Sequence, residues 1–258
     1  MLLLIDSGNT RVKWALVDAS QPSDSMQDAH HTGWLAYGAV LQSQRHSLAK
    51  VWSELTVTGV TIANVAGADI EHDLAEMIQA ACKLNAAQVD WFASVASAAG
   101  VHNGYREPTQ LGCDRFAALI GARAVYPAQR LIIATCGTAT TVDALEADGH
   151  FLGGLILPGL GLMAGALAQK TAQLPQIGDT FIAPPLFADH TEAAIRSGCL
   201  AAQCGAIVRA LDAHAGARCI LSGGAASFVA TMIGRPHHVI DNLVLRGLQA
   251  STWAAASC

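Results

Sequence analysis

The sequence predicts an α/β protein in two parts, the second repeating the theme of the first. Three observations predict it. A buried strand, a tight turn and a second strand open the chain between Met1 and Val17. Strand and helix patterns then alternate from Gly59 to Phe92. The opening theme returns between Arg130 and Leu145, which suggests an internal duplication. The parts are residues 1–118 and 119–258, divided near the Gly112–Val125 helix.

Taken in order, Met1–Ile5 is an apolar run that meets Asp6-Ser7-Gly8-Asn9-Thr10, and Val12–Val17 follows at once. Gly8 and Asn9 tolerate the left-handed backbone of a two-residue hairpin turn. Such a turn offers backbone N–H groups and hydroxyls, with the Asp6 carboxylate at its mouth. Taken alone it reads as an ordinary Asp/Asn/Gly turn. Pro22–His31 is a polar loop, and Trp34–Tyr37 a third strand. Leu48, Val51, Trp52 and Leu55 share one helical face, and Gly59–Val65 is rich in β-branched residues, hence a strand. Asp69 is placed to cap a helix running to Leu84, and Val89–Phe92 is a further strand. Ser97–Gln110 is irregular, and a loop of that length inside a compact domain is often functional.

Gly112-Cys113-Asp114-Arg115 opens an apolar helix that Pro127 ends. Arg130–Ala134 is a strand, Thr135–Thr141 a Gly/Thr-rich turn, Val142–Leu145 a strand, and Phe151–Leu157 another. Helical patterns cover Gly161–Lys170 and Thr191–Ala213, with a Pro-containing loop between Leu174 and Asp189. Arg218–Ser222 is a strand entering Gly223-Gly224 and a further helix, and Asn242–Ala255 is a helix.

Composition narrows the function classes. The 258 residues are 52% hydrophobic and 14% charged, with mean hydropathy +0.35, enough apolar surface for a large core. A net charge of −5 without any basic cluster argues against nucleic-acid binding. No apolar run reaches the roughly 18 residues of a membrane span. Asp6 inside the first apolar stretch argues against a secretory leader. Seven scattered cysteines without a C-x-x-C pair read as free thiols in a reducing cytoplasm. The histidines show no H-E-x-x-H spacing, so a catalytic zinc is not expected. Neither a P-loop nor a G-x-G-x-x-G motif is present.

What remains is an ordered set of glycine-marked turns: Asp6–Thr10, Gly112–Arg115, Gly137–Asp143 and Gly223-Gly224. With Tyr105, Pro108, Gly153–Gly159 and Thr191–Gly198, this series resembles the actin-like ATPase superfamily of acetate and sugar kinases, and within it the type III pantothenate kinases. The resemblance implies two duplicated actin-like (ribonuclease H-like) domains with an ATP cleft between them. It implies ATP-dependent phosphorylation of pantothenate to 4'-phosphopantothenate, which opens coenzyme A biosynthesis.

The resemblance also assigns residues. Asp6 would hold Mg²⁺, through water, because Mg²⁺ dehydrates reluctantly. Ser7, Gly8, Asn9, Thr10, Arg11, Val12 and Lys13 would cradle the ATP phosphates, and Thr138 would meet them from the second domain. Asp114 would be the general base. Tyr105, Gly112, Cys113, Asp114 and Arg115 would line the pantothenate site, the Cys113 thiol itself reading as packing. The family is homodimeric, and Thr191 matches the threonine that closes the partner's pocket.

Residue chemistry leaves alternatives beside these roles. Asp114 and Thr191 are both favoured helix N-caps, and Arg115 would suit a substrate carboxylate. Asp143 is either a turn-stabilising acceptor or a second phosphate-side carboxylate. Many family members begin the second hairpin Asp-x-Gly-Thr, and that Asp ligates an activating K⁺ or NH₄⁺. Thr135 stands at that position here, so either the cation is bound through backbone carbonyls or the requirement is weaker, and omitting it is expected to reduce activity less than in relatives that keep the Asp. A nucleotide-binding regulator without catalysis, or a kinase of another small hydroxy acid, are the alternative functions.

Overall fold

The computed structural model describes residues 1–18, 32–170 and 184–256. The expected Pro22–His31 loop, and most of the Leu174–Asp189 loop, lie outside them. In chain order the strands and helices of the first half are β1 (Leu2–Ser7), β2 (Arg11–Val17), β3 (Ala36–Leu41), α1 (Leu48–Ser53), β4 (Gly59–Asn64), α2 (Ala68–Cys82), β5 (Val89–Trp91), β6 (Ser97–Ala98), β7 (Val101–Asn103) and α3 (Cys113–Val125). The second half holds β8 (Leu131–Cys136), β9 (Ala139–Leu145), β10 (His150–Pro158), α4 (Leu160–Lys170), α5 (Thr191–Ala213), β11 (Arg218–Ser222), α6 (Ala226–Met232), β12 (His237–Val239) and α7 (Leu243–Ala256).

These elements form two compact units. Unit 1 is Met1–Pro127 together with the chain from Leu243 onward; unit 2 is Ala128–Asn242. In unit 1 the strand order is β3-β2-β1-β4-β5. The first three strands are antiparallel, while β4 and β5 run parallel to β1. In unit 2 the order β10-β9-β8-β11-β12 repeats that plan with the same strand directions. The duplication read from two similar turns therefore extends to five strands in each unit.

Strand β1 is buried on both faces and correspondingly almost wholly apolar. Leu3, Ile5, Trp14, Trp52, Ile62 and Leu74 are at the centre of the unit 1 core. In unit 2, Ile132, Val142 and Leu221 of the sheet do the same with Leu200 and Ile207 of α5 and Val229 of α6. No helix among the described residues is long and apolar enough to cross a membrane.

Several boundaries differ from the sequence expectations. The third strand is Ala36–Leu41, four residues beyond Trp34–Tyr37 at its far end, and it alternates half-buried with exposed positions as an edge strand should. Helix α2 is preceded by Gly67 at φ +100° rather than capped by Asp69, which sits in its first turn. Residue 118, the expected division, lies inside α3. That helix stays whole in unit 1 because α7 packs on it at backbone contact. A side chain at Gly247 would collide with the Ala117 carbonyl, and one at Gly121 with the Leu243 carbonyl.

Candidate active site

The first turn is held from several directions. Gly8 N–H donates to Arg11 O across it at 3.0 Å, and Val65 N–H donates to Ser7 O at 3.0 Å. Gln42 reaches both ends of the turn, donating its backbone N–H to Thr10 O at 2.8 Å and its side-chain amide to Ser7 Oγ at 3.4 Å. Asn9, Thr10 and Arg11 are left exposed at the tip. Register pairs Asp6 with Lys13 across β1 and β2, so a carboxylate and an ammonium flank the turn. Burial pushes the Asp6 carboxyl up to about 6; Lys13 partly offsets this, and the nearby Asp114 charge adds to it. Two carboxylates from separate elements thus share one low-water environment.

Asp114 lies in the first turn of α3, after Gly112, so it is not the N-cap. Its Oδ1 accepts the Arg115 backbone N–H at 2.8 Å. Burial raises its pKa, and the Arg115 N–H and guanidinium pull the other way. Gly112 permits this fold-back, since a Cβ there would stand 2.6 Å from Asp114 Oδ1.

Arg115 is 7% exposed and donates to the Tyr105 hydroxyl at 2.8 Å, with its guanidinium carbon 5.6 Å from the Tyr105 ring centroid. Tyr105 is fixed by Asn103, whose Oδ1 accepts the Tyr105 N–H at 3.1 Å and whose Nδ2 donates to Pro108 O at 3.0 Å. The irregular loop is therefore ordered around one asparagine. Cys113 places its thiol 3.5 Å from Asn64 O, and burial with the Asp114 charge pushes it up to about 11, so it stays protonated. Beside Gly112 and Cys113 lies a cavity of about 390 Å³, also lined by Asn64, Ser94 and Gln110.

Unit 1 therefore brings Asp6, Lys13, Tyr105, Gly112, Cys113, Asp114 and Arg115 into one neighbourhood. Its oxygen donors suit Mg²⁺, which typically takes one or two protein carboxylates and completes its shell with water and substrate phosphates. No three His, Cys, Asp or Glu residues among those described are grouped so as to hold a metal by themselves.

In unit 2 the second turn is shaped by close backbone approach. Gly159 N–H donates to Thr138 O at 2.9 Å, and a Cβ on Gly159 would stand 2.5 Å from that oxygen. Gly223, at φ +91°, packs equally close on the Cys136 carbonyl. Thr138 is exposed at the tip. Asp143 lies buried inside β9, five residues past Thr138. Thr135 and Thr141 face each other in register across β8 and β9, and both hydroxyls are buried without a hydrogen-bond partner. Thr191 is the first residue of α5, after His190 at the N-cap. It borders an apolar groove of about 700 Å³ between α4 and α5, lined by Met163, Leu167, Ile195 and Cys199 among others.

Sequence reasoning missed Gln42 and Asn64. Gln42 carries no signal, since an isolated glutamine after a strand is unremarkable. Asn64 ends a parallel strand beside Ser7, where ligands commonly gather in α/β sheets, so its position was a usable signal.

A family model described as type III pantothenate kinase matches residues 2–213. A type III pantothenate kinase from Herminiimonas arsenicoxydans is 48% identical over 257 residues, spanning 96% of each chain. Another, from Janthinobacterium sp. (strain Marseille), is 48% identical over 254 residues with the same coverage. Among solved structures, the activator of the 2-hydroxyisocaproyl-CoA dehydratase from Clostridium difficile, with bound ADPNP, superposes with TM-score 0.52 at 13% identity, covering 99% of this chain and 94% of its own. That likeness is one of fold.

Proposed function

The chain belongs to the type III pantothenate kinase family, and from that premise we propose how its own residues carry out the ATP-dependent phosphorylation of pantothenate to 4'-phosphopantothenate. It is a kinase of two actin-like α/β units, acting at the entry to coenzyme A biosynthesis. Phosphoryl transfer asks a protein chiefly to position the groups and neutralise charge. The turn from Ser7 to Lys13 binds the ATP phosphates through backbone N–H groups and the Lys13 charge, with Thr138 a further phosphate contact. Asp6 would hold Mg²⁺, which when bound would neutralise charge on the transferring phosphoryl group.

Asp114 is the general base. As the primary hydroxyl oxygen of pantothenate bonds to the γ-phosphorus, its proton passes to the Asp114 carboxylate and the bond from phosphorus to the β–γ bridging oxygen breaks, releasing ADP. Arg115, held by Tyr105, binds the substrate carboxylate, and Gly112 and Cys113 shape the adjoining wall. The observation that carries this reading is the pairing of two water-poor carboxylates, Asp6 and Asp114, from different elements beside a buried arginine. The test is purified protein with Mg-ATP and pantothenate, followed by formation of phosphopantothenate. Nucleotide binding without product would favour a silent regulator; turnover only with another hydroxy acid would reassign the substrate.

A homodimer is proposed for the apolar α4–α5 groove, with Thr191 on its border reaching the partner's pantothenate. Leu162 and Leu167 on α4 are 52% and 39% exposed, an apolar surface that association would cover. Sedimentation at micromolar concentration should give about twice the 26.7 kDa chain mass; a monomer at that concentration would end the assignment. A cytoplasmic location is proposed from the free, largely buried thiols.

We propose a weaker monovalent-cation requirement than in relatives that carry the aspartate. The position that carries an aspartate in many relatives is Thr135, and with Thr141 it offers two neutral hydroxyls and no charge. Replacing K⁺ and NH₄⁺ with a large organic cation is therefore expected to reduce turnover only modestly. Complete loss of turnover would overturn this.

A further inference from the structure

Gln203 lies in the middle of α5, fully buried, where an apolar side chain of equal length would fill the space without desolvating an amide. What glutamine adds is two hydrogen bonds to the second turn. Its Oε1 accepts the Thr140 hydroxyl at 3.0 Å, and its Nε2 donates to Pro158 O at 3.0 Å, with the Met163 sulfur 3.8 Å away. Thr140 is two residues past Thr138 and is itself 1% exposed. Pro158 precedes Gly159, whose N–H holds Thr138 O. One side chain thus anchors both backbone segments that bracket Thr138, neither of which is linked to α5 by main-chain bonding.

We propose that Gln203 is a positioning residue for nucleotide binding, fixing the turn that presents Thr138. This rests on the reading of Thr138 as a phosphate contact. With the amide gone, the buried Thr140 hydroxyl is left unpaired and the Pro158 carbonyl loses its donor, and the turn shifts to satisfy them. The effect belongs to the phosphate side, because Tyr105, Asp114 and Arg115 stand on other elements.

The experiment compares Gln203→Met, which keeps length and apolar packing, with Thr140→Val and Thr140→Ser, which remove and retain the hydroxyl. Each full-length variant is assayed for KM of ATP, KM of pantothenate and Tm. Gln203→Met and Thr140→Val are expected to raise the KM of ATP about 5- to 30-fold, as for loss of a buried hydrogen bond. The KM of pantothenate should stay within about twofold, and Thr140→Ser should restore the KM of ATP. Should Gln203→Met fail to fold, Thr140→Val carries the test. A lowered Tm with unchanged KM of ATP in the folded variants would make the role merely structural and overturn the proposal. Thr138→Ala separates the two readings. If it raises the KM of ATP while the Gln203 and Thr140 variants do not, only the positioning role fails. If it leaves the KM of ATP unchanged, the phosphate role of Thr138 fails and the positioning role with it.

Discussion

Asp114→Asn is expected to lower kcat about 10²- to 10⁴-fold, the usual effect of removing a general base. Affinity for ATP, measured by direct binding, should change little. The substitution is close to isosteric, and the Asn oxygen can still accept the Arg115 N–H that Asp114 Oδ1 accepts at 2.8 Å. The first turn of α3 therefore persists, and what is lost is the proposed acceptor of the hydroxyl proton. The raised pKa of Asp114, caused by burial, makes it a stronger base than a solvated aspartate. Wild-type kcat in Asp114→Asn would remove Asp114 from the chemistry, and the mechanism with it.

Asp6→Asn should act in two opposite directions. Loss of the carboxylate proposed to hold the metal is expected to lower kcat/KM for ATP about 10²- to 10³-fold at limiting Mg²⁺, comparable to removing a preorganised electrostatic group. The free protein, by contrast, should become more thermostable near pH 7. The folded pKa of Asp6 is about 6 against 3.8 for an ordinary aspartate, so the folded state holds this proton more tightly than the unfolded one. Its favourable contribution is fully present below about pH 4 and is lost as pH rises through about 6. Above that, the native state carries a poorly solvated charge, which Asn does not. The Tm advantage of Asp6→Asn should therefore be largest at pH 7–8 and vanish near pH 4. The same titration predicts an acid limb in wild-type kcat/KM near pH 6 at low Mg²⁺, moving to lower pH as Mg²⁺ is raised. A Tm difference that grows as pH falls would show that Asp6 is not held in a desolvated site.

How much of this was legible in the sequence depended on whether the cause was local. The strand–turn–strand of Leu2–Val17 was readable because burial on both faces demands an unbroken apolar run, and only small polar residues close the turn. Strand β9 begins at Ala139 rather than Val142 because Thr140 and Thr141 pair with Cys136 and Thr135 across the hairpin, and a polar Thr gives no apolar signal. Strand β12 is His-His-Val, three residues recruited by parallel pairing with β11, and no propensity announces it. The caps expected at Asp69, Asp114 and Thr191 each moved one or two residues upstream, to Gly67, Gly112 and His190. In the site, the turns were legible as motifs. The Tyr105–Arg115 contact was not, since the partners stand ten positions apart, one on the loop and one on α3, and an asparagine two residues before the tyrosine sets its position. Gln42 and Gln203 act entirely through tertiary hydrogen bonds, which leave no trace in periodicity.

The backbone contact between α3 and α7 has a consequence for the order in which the molecule is made. The helix that begins with Cys113, Asp114 and Arg115 rests along its length on a segment synthesised after the whole of unit 2. At the usual elongation rate of about 5–20 residues per second, roughly six seconds or more separate Pro127 from the start of α7 on the ribosome. By the end of that interval unit 2 is complete and continuous, whereas unit 1 still lacks the partner that packs on Ala117 and Gly121. The later unit in the sequence is thus able to fold first, and the first unit closes only when α7 arrives. A nascent chain halted before Leu243 should protect unit 2 from protease while leaving the Asp114 turn open to cleavage.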